Sequence, residues 1–196
     1  MNVIFDIGKV LIDFEVHCFA EQIFGEETGK IIIGAMWDNP CWCELDKGIL
    51  SDEEIIRMFV SSAPQYERQI RLMFSKLGDI PVQKSTTIPL IKKLKNMGYG
   101  VYYLSNYFEY LMHTAPEALS FIEYTDGGVF SCHEHLIKPD PRIYARICEK
   151  YSLIPSECIF IDDTLKNVTA AVEFGMKGIH YTGQSADELC ARIASF

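Results

Sequence analysis

The stretch Val3-Ile4-Phe5-Asp6-Ile7-Gly8-Lys9-Val10-Leu11 decides the fold. Three apolar residues run straight into a carboxylate, and a glycine follows two residues later. That pattern describes a buried β-strand whose C-terminal edge carries Asp6 and whose chain then turns tightly beside it. In an open α/β sheet, ligands collect at that edge. Alone, an apolar run closed by Asp and Gly is also an ordinary strand-to-turn ending, so the reading depends on what lies further along the chain.

The same design returns three times. Gly100-Val101-Tyr102-Tyr103-Leu104 reads as a strand and ends in Ser105-Asn106. Cys158-Ile159-Phe160-Ile161 reads as another and ends in Asp162-Asp163-Thr164. Between them, Leu136-Ile137-Lys138-Pro139-Asp140-Pro141 sets one cation ahead of an amphipathic helix starting near Arg142, its approach fixed by two prolines. Each piece has a plainer explanation. Ser105-Asn106 suits a helix N-cap, and a single Lys is by default solvated. The adjacent carboxylates Asp162-Asp163 are harder to explain away, because like charges at the end of a buried strand need a cation or donors beside them. Acids at two strand ends, a hydroxyl and amide at a third, and an isolated Lys make a phosphate and metal constellation.

These four elements, in this order, resemble the haloacid dehalogenase superfamily of aspartyl-phosphate phosphohydrolases over essentially the whole chain. The matching residues are Asp6 in Phe5-Asp6-Ile7-Gly8, Ser105 after its strand, Lys138 in Lys-Pro-Asp-Pro, and the Asp162-Asp163 pair. The resemblance implies a doubly wound parallel α/β sheet, a Rossmann-like core, with a small helical cap inserted after the first motif. It implies Asp6 as the nucleophile, and Ser105 with Lys138 as the other catalytic groups. Phosphoryl oxygens would be bound by Ile7, Gly8, Ser105, Asn106 and Lys138. Mg2+ would be held by Asp6, the Gly8 carbonyl, Asp163 directly, and Asp162 and Asn167 through water.

One position departs from the family pattern. Most phosphatases of the family carry a second Asp two residues after the nucleophile, as general acid and base; here the residue is Gly8. A subgroup reading Phe-Asp-x-Gly-Asn-Val-Leu, which includes bacterial phosphatases of sugar phosphates such as α-glucose 1-phosphate, shares the glycine, although Lys9 stands where that subgroup usually has Asn. The expected activity is therefore a magnesium-dependent phosphatase of a small phosphorylated metabolite such as a sugar phosphate. Without an acid at position 8, good leaving groups should be preferred, unless the cap or the substrate supplies the proton. Haloacid dehalogenases and phosphonate hydrolases also lack the second Asp and stay open as alternatives, as does a non-catalytic binding relative. A dehalogenase needs no metal, so the Asp162-Asp163 pair weighs against it. Intact Asp6, Ser105, Lys138 and Asp163 weigh against a purely binding role.

Composition agrees with a soluble enzyme. The chain has 196 residues, 48% of them hydrophobic, enough for a sizeable core. Its net charge of −9 and lack of a basic stripe argue against nucleic acid or an anionic membrane as partner. No charged leader or membrane-length apolar run is read in the chain, so a cytoplasmic protein is expected, and the sequence is compatible with either a monomer or a homodimer. Seven cysteines without paired Cys-x-x-Cys spacing read as free thiols. Cys41-Trp42-Cys43 reads as packing, and His133-Glu134-His135 as an exposed loop.

Along the chain, residues 1–13 and 86–196 are expected to form the α/β core, and 14–85 the helical cap. Within the cap, Ser51 precedes Glu54 by three residues and opens a helix with a capping box. From Thr87 onward helix and strand signals alternate: helix over 88–97, strand over 99–104, helix over 143–151, strand over 158–161, helix over 168–174 and strand over 178–181. Trp37, Trp42, Glu44 and Asp46 cluster within the cap, where aromatic rings and carboxylates together suit a sugar, but Trp at a helix interface is more often core. None of these four is taken as a site residue.

Overall fold

A computed structural model describes all 196 residues. Seven strands are present: β1 (Asn2–Phe5), β2 (Ile12–Asp13), β3 (Val82–Gln83), β4 (Gly100–Ser105), β5 (Gly127–Phe130), β6 (Cys158–Asp162) and β7 (Lys177–His180). Five of them form one parallel sheet in the order β5-β4-β1-β6-β7. The first strand is central: Ile4 lies opposite Tyr102 on one side and Phe160 on the other. The chain leaves β1 toward β4 and β5, then crosses back to build β6 and β7 on the other side. This reversal makes the C-terminal ends of β1 and β6 the switch point where doubly wound sheets bind ligands.

Alternation along the strands explains why helices cover both faces. Val3, Phe5, Val101, Ile159 and Ile161 point to one side, where they join Leu90, Ile91 and Leu94 of helix Thr87–Asn96 and Leu189 and Ile193 of helix Ala186–Ala194. Ile4, Leu104, Val129 and Phe160 point to the other, against Ile143, Tyr144 and Ile147 of helix Pro141–Tyr151 and Ala171 of helix Leu165–Glu173. Burying each such large side chain contributes about 1.5–3 kcal/mol. A polar substitution along β1, whose last three residues are all buried, would forfeit that contribution.

The inserted cap consists of helices Val16–Phe24, Glu26–Ala35, Trp42–Lys47, Asp52–Ser62 and Glu67–Ser75. The capping box forms as expected: Ser51 N–H donates to Glu54 Oε2 at 2.9 Å, and Glu54 N–H to Ser51 Oγ at 3.4 Å. Trp42 is core, its ring 4.7 Å from Trp37, 6.0 Å from Phe59 and edge-on to Phe108 at 5.6 Å. The antiparallel ribbon β2–β3 brings the chain segments leading into and out of the cap side by side. One continuous cluster of 41 buried residues runs from the sheet through Leu11 and Phe108 into Ile55, Phe59 and Ile70 of the cap.

The six expected core elements are present with ends shifted by at most three residues. Helix Pro141–Tyr151 starts at Pro141 because the Asp140 carboxylate accepts the Arg142 N–H at 2.9 Å. Helices Glu109–Thr114 and Ala186–Ala194 and the β2–β3 ribbon lie outside the expected set, and two further elements depart from expectation. Strand β5 was not anticipated, and His133-Glu134-His135 is not simply a loop: Ser131–Glu134 is a short helix ended by His135 in the left-handed region. All seven cysteines are unpaired. No helix is long and apolar enough to cross a membrane.

Candidate active site

The edge of the sheet brings Asp6, Ser105, Lys138, Asp162, Asp163 and Asn167 together, although they come from parts of the chain more than 150 residues apart. Asp6 follows β1 directly and stays in register because its N–H donates to the Ile161 carbonyl at 2.8 Å. The Ile7 carbonyl accepts the N–H groups of Leu11 and Ile12 at 2.9 and 3.1 Å, with Lys9 at φ 58°. This tight loop turns the chain back over Asp6.

Lys138 is the electrostatic hub. Its ammonium is 2.8 Å from Asp6 Oδ1 and 2.7 Å from Asp162 Oδ2, and the residue is only 4% exposed. Burial opposes its charge, yet the two carboxylates outweigh burial and hold the amine well above its ordinary pKa. Burial also pushes Asp6 up to about 6, against the downward pull of Lys138 and with a smaller upward push from Asp162. Lys138 is held from behind by Asn106, whose Oδ1 accepts the Lys138 N–H at 2.8 Å and whose Nδ2 donates to the Lys138 carbonyl at 3.2 Å. Both polar ends of the Asn106 side chain are thus taken up in orienting the cation. The Ile7 N–H likewise donates to Asp6 Oδ1 at 2.7 Å, which aims the carboxylate.

The acidic pair divides into unlike members. Asp162 is fully buried and saturated: Thr164 N–H donates to Oδ1 at 2.7 Å, Lys138 to Oδ2, and Asn167 Nδ2 reaches both oxygens at 3.1–3.2 Å. Asn167 is fixed in turn by its carbonyl, which accepts the Tyr144 hydroxyl at 2.9 Å. Asp163 is half-buried and faces the cavity, with its carboxyl raised by burial and by the charge of Asp162. Ligand oxygens of Asp6, Asp162 and Asp163 lie within 4.8 Å of one another. Ser105 is buried beside Asp6, and Gly8 sits at the rim with open space where a side chain would project.

A cavity of about 560 Å³ opens over these groups. Its far wall comes from the cap and includes Phe14, Trp37, Asn39, Trp42 and Asp46. Of the four cap residues noted in the sequence, Glu44 does not line it and pairs with Lys47 at 2.7 Å instead. Asp46 lines the cavity with 8% exposure, and burial raises its carboxyl to about 7 despite the opposing charge of Lys138. Sequence reasoning passed over it. Its visible signal was an acid in a helix next to two tryptophans, but that signal is indistinguishable from packing until the cap is folded over the sheet. On the outer surface, His133 Nε2 lies 3.0 Å from Glu109 Oε2 with Cys132 beside them, while Glu134 pairs with Arg146.

A fold of this class with acids at three of these positions defines a hydrolase of the haloacid dehalogenase type. The haloacid dehalogenase-like hydrolase family model matches residues 1–175, and the chain belongs to that family. It is 26% identical over 183 residues to a sesquiterpene phosphatase of Aspergillus oryzae, covering 93% of this chain and 90% of that protein. It is 25% identical over 189 residues to a D-ribitol-5-phosphate phosphatase of Bacteroides thetaiotaomicron, covering 90% and 89%. A haloacid dehalogenase family enzyme of the same bacterium, solved as a magnesium complex, superposes with a TM-score of 0.75 at 21% identity, covering 96% and 97% of the two chains. That structural likeness establishes the shared fold.

Proposed function

We propose that this hydrolase is a magnesium-dependent phosphatase that cleaves a small phosphorylated metabolite, a sugar phosphate, through a phosphoryl group carried on Asp6. The observation that carries this reading is the buried Lys138 bridging Asp6 and Asp162, with Asp163 turned toward the same cavity. A phosphate monoester dianion repels a carboxylate nucleophile, so its charge has to be offset before in-line attack. Lys138 offsets part of it and fixes Asp6 Oδ1, leaving the other oxygen to attack phosphorus. The Ser105 hydroxyl and the Gly8 amide would bind phosphoryl oxygens.

The donor set fits Mg2+. Three carboxylates converge against one buried amine, and oxygen donors are what that ion prefers. Asp6, Asp163 and the Gly8 carbonyl would hold it directly. Asp162, whose oxygens already have protein partners, and Asn167 would act through water. Bound there, the ion would supply further charge neutralisation for the phosphoryl group. Both phosphatase relatives agree with the reaction class, and the ribitol phosphate enzyme with a polyol substrate. Trp37 on the cap wall offers a ring face to such a substrate.

The test is phosphate release from a panel of phosphorylated sugars, polyols and aryl phosphates, with magnesium and with chelator. Magnesium-dependent release from a sugar or polyol phosphate is the expected result. Release that persists in chelator refutes the metal assignment, and halide release from 2-haloacids without phosphatase activity refutes the reaction.

A further inference from the structure

Gly8 leaves the nucleophile without a neighbouring acid, yet the cap wall of the cavity contributes two, the exposed Asp38 and the buried Asp46. We propose that Asp46 of the cap is the general acid and base of this site, replacing the carboxyl absent at position 8; the inference rests on the phosphatase reading above. Three observations carry it. Asp46 is more than nine-tenths buried and lines the cavity that contains Asp6, Ser105 and Lys138. Its carboxyl oxygens make no hydrogen bond within the protein and are left free for a ligand in that cavity. Its backbone, by contrast, is held firmly against the core.

That anchoring comes from three contacts. The Ser131 hydroxyl donates to the Asp46 carbonyl at 2.6 Å and accepts the Tyr107 N–H at 2.9 Å, so one side chain joins the cap helix to the loop after β4. Gly48 ends that helix at φ 63° and packs so closely on Cys132 that a Cβ there would lie 2.7 Å from the Cys132 Cβ. His135 Nδ1 lies 2.8 Å from the Lys47 carbonyl. A group presented this rigidly can meet a departing oxygen at a fixed place.

The protonation state suits the task. The groups that face Asp46 are Lys138 and Asp6 from the core edge, Cys43 on its own helix and Cys132 beneath it. Burial outweighs the pull of Lys138 and raises the carboxyl to about 7, so near neutral pH both its acid and its base form are populated, as the two steps require. In the first step the Asp6 oxygen bonds to phosphorus, the bond from phosphorus to the leaving oxygen breaks, and the Asp46 proton passes to that oxygen to give the alcohol. In the second, the Asp46 carboxylate removes a proton from water as the water oxygen attacks phosphorus. The bond to Asp6 breaks, inorganic phosphate leaves and Asp46 is again protonated.

The experiment compares the wild type with Asp46→Asn across phosphate monoesters whose leaving groups run from a dinitrophenol to a primary alcohol. In kcat/KM, which reports the first step, the variant should lose about a hundredfold to ten-thousandfold on the alkyl ester and less than about fivefold on the dinitrophenyl ester. The descending limb of the wild-type pH profile should vanish for the alkyl ester. Asp46→Glu, which keeps the carboxyl, should restore part of the alkyl activity and the limb. A loss of equal size on every ester, or an unchanged pH profile, overturns the role and leaves Asp46 as a residue that binds substrate. Dinitrophenyl phosphate also separates this inference from the reading beneath it. Turnover retained in Asp46→Asn and abolished in Asp6→Asn upholds the phosphatase, while no wild-type turnover of any ester overturns both.

Discussion

Replacing Lys138 by Met tests the electrostatic core of the site most directly. The thioether chain is similar in length and keeps the packing, so the loss is that of the charge between Asp6 Oδ1 at 2.8 Å and Asp162 Oδ2 at 2.7 Å. At an effective dielectric of about 20, each contact is worth on the order of 6 kcal/mol before desolvation is subtracted. Desolvation cancels much of that, and removing one partner of a buried pair typically costs about 3–5 kcal/mol because the other charge is stranded. A domain of this size has a total stability of about 5–15 kcal/mol, so the variant should fold but with a thin margin. The sign with pH follows from Asp6, whose folded pKa is already raised to about 6 and is lowered by Lys138. Without Lys138 it rises further. An acid with a raised folded pKa is most stable protonated, so the deficit should grow as pH rises. Urea unfolding in chelator at about pH 5.5 and about pH 8 measures it. A deficit under about 1 kcal/mol, or one equal at both pH values, would falsify the account of a buried, charge-paired hub.

Four further outcomes are expected. Asp6→Asn should keep the fold by circular dichroism and lose all measurable turnover; activity within about tenfold of wild type would rule out the covalent route. Asp163→Ala should raise the magnesium concentration needed for half-maximal activity by at least about tenfold, and an unchanged requirement would remove Asp163 as a ligand. Asp46→Asn should stabilise the metal-free protein at alkaline pH relative to acid pH. The wild-type carboxyl, raised from 3.8 to about 7, contributes less stability as pH climbs through that window, by up to about 4 kcal/mol; parallel stability profiles for the two proteins would contradict this. Gly8→Asp meets open space around the new Cβ and should improve turnover of primary alkyl phosphates, most of all in an Asp46→Asn background, as initial rates on a primary alkyl phosphate will show.

Much of the core was legible because its signals are local. Val3-Ile4-Phe5 and Cys158-Ile159-Phe160-Ile161 are buried on both faces, and such strands read as unbroken apolar runs bounded by polar residues. Strand β5 was hidden because its first two residues, Gly127 and Gly128, lack the side chains that mark a strand. Packing explains the second glycine, since the Tyr103 ring occupies the space a Cβ would need. The site residues at strand ends were legible for the same reason as the strands. The hydrogen bonds that fix them were not: that Asn106 clamps Lys138, and that Lys138, Thr164 and Asn167 together occupy the Asp162 carboxylate, depends on partners up to 32 residues away. Asp46 is the extreme case, since it reaches Asp6 only through the closure of the cap.

The buried cluster that passes unbroken from the sheet into the cap has a thermodynamic consequence. Two bodies joined by a ribbon could melt separately, but here Leu11, Phe108 and Trp42 share apolar surface with both. Loosening the cap exposes the underside of the nucleophile loop, and loosening the sheet removes the floor on which the cap rests. Cap and core are then one cooperative unit, so heating should give a single transition with calorimetric and van't Hoff enthalpies equal. Mutations that weaken the cap will therefore be felt as a lower melting temperature of the entire enzyme, even where every group at the strand ends is intact.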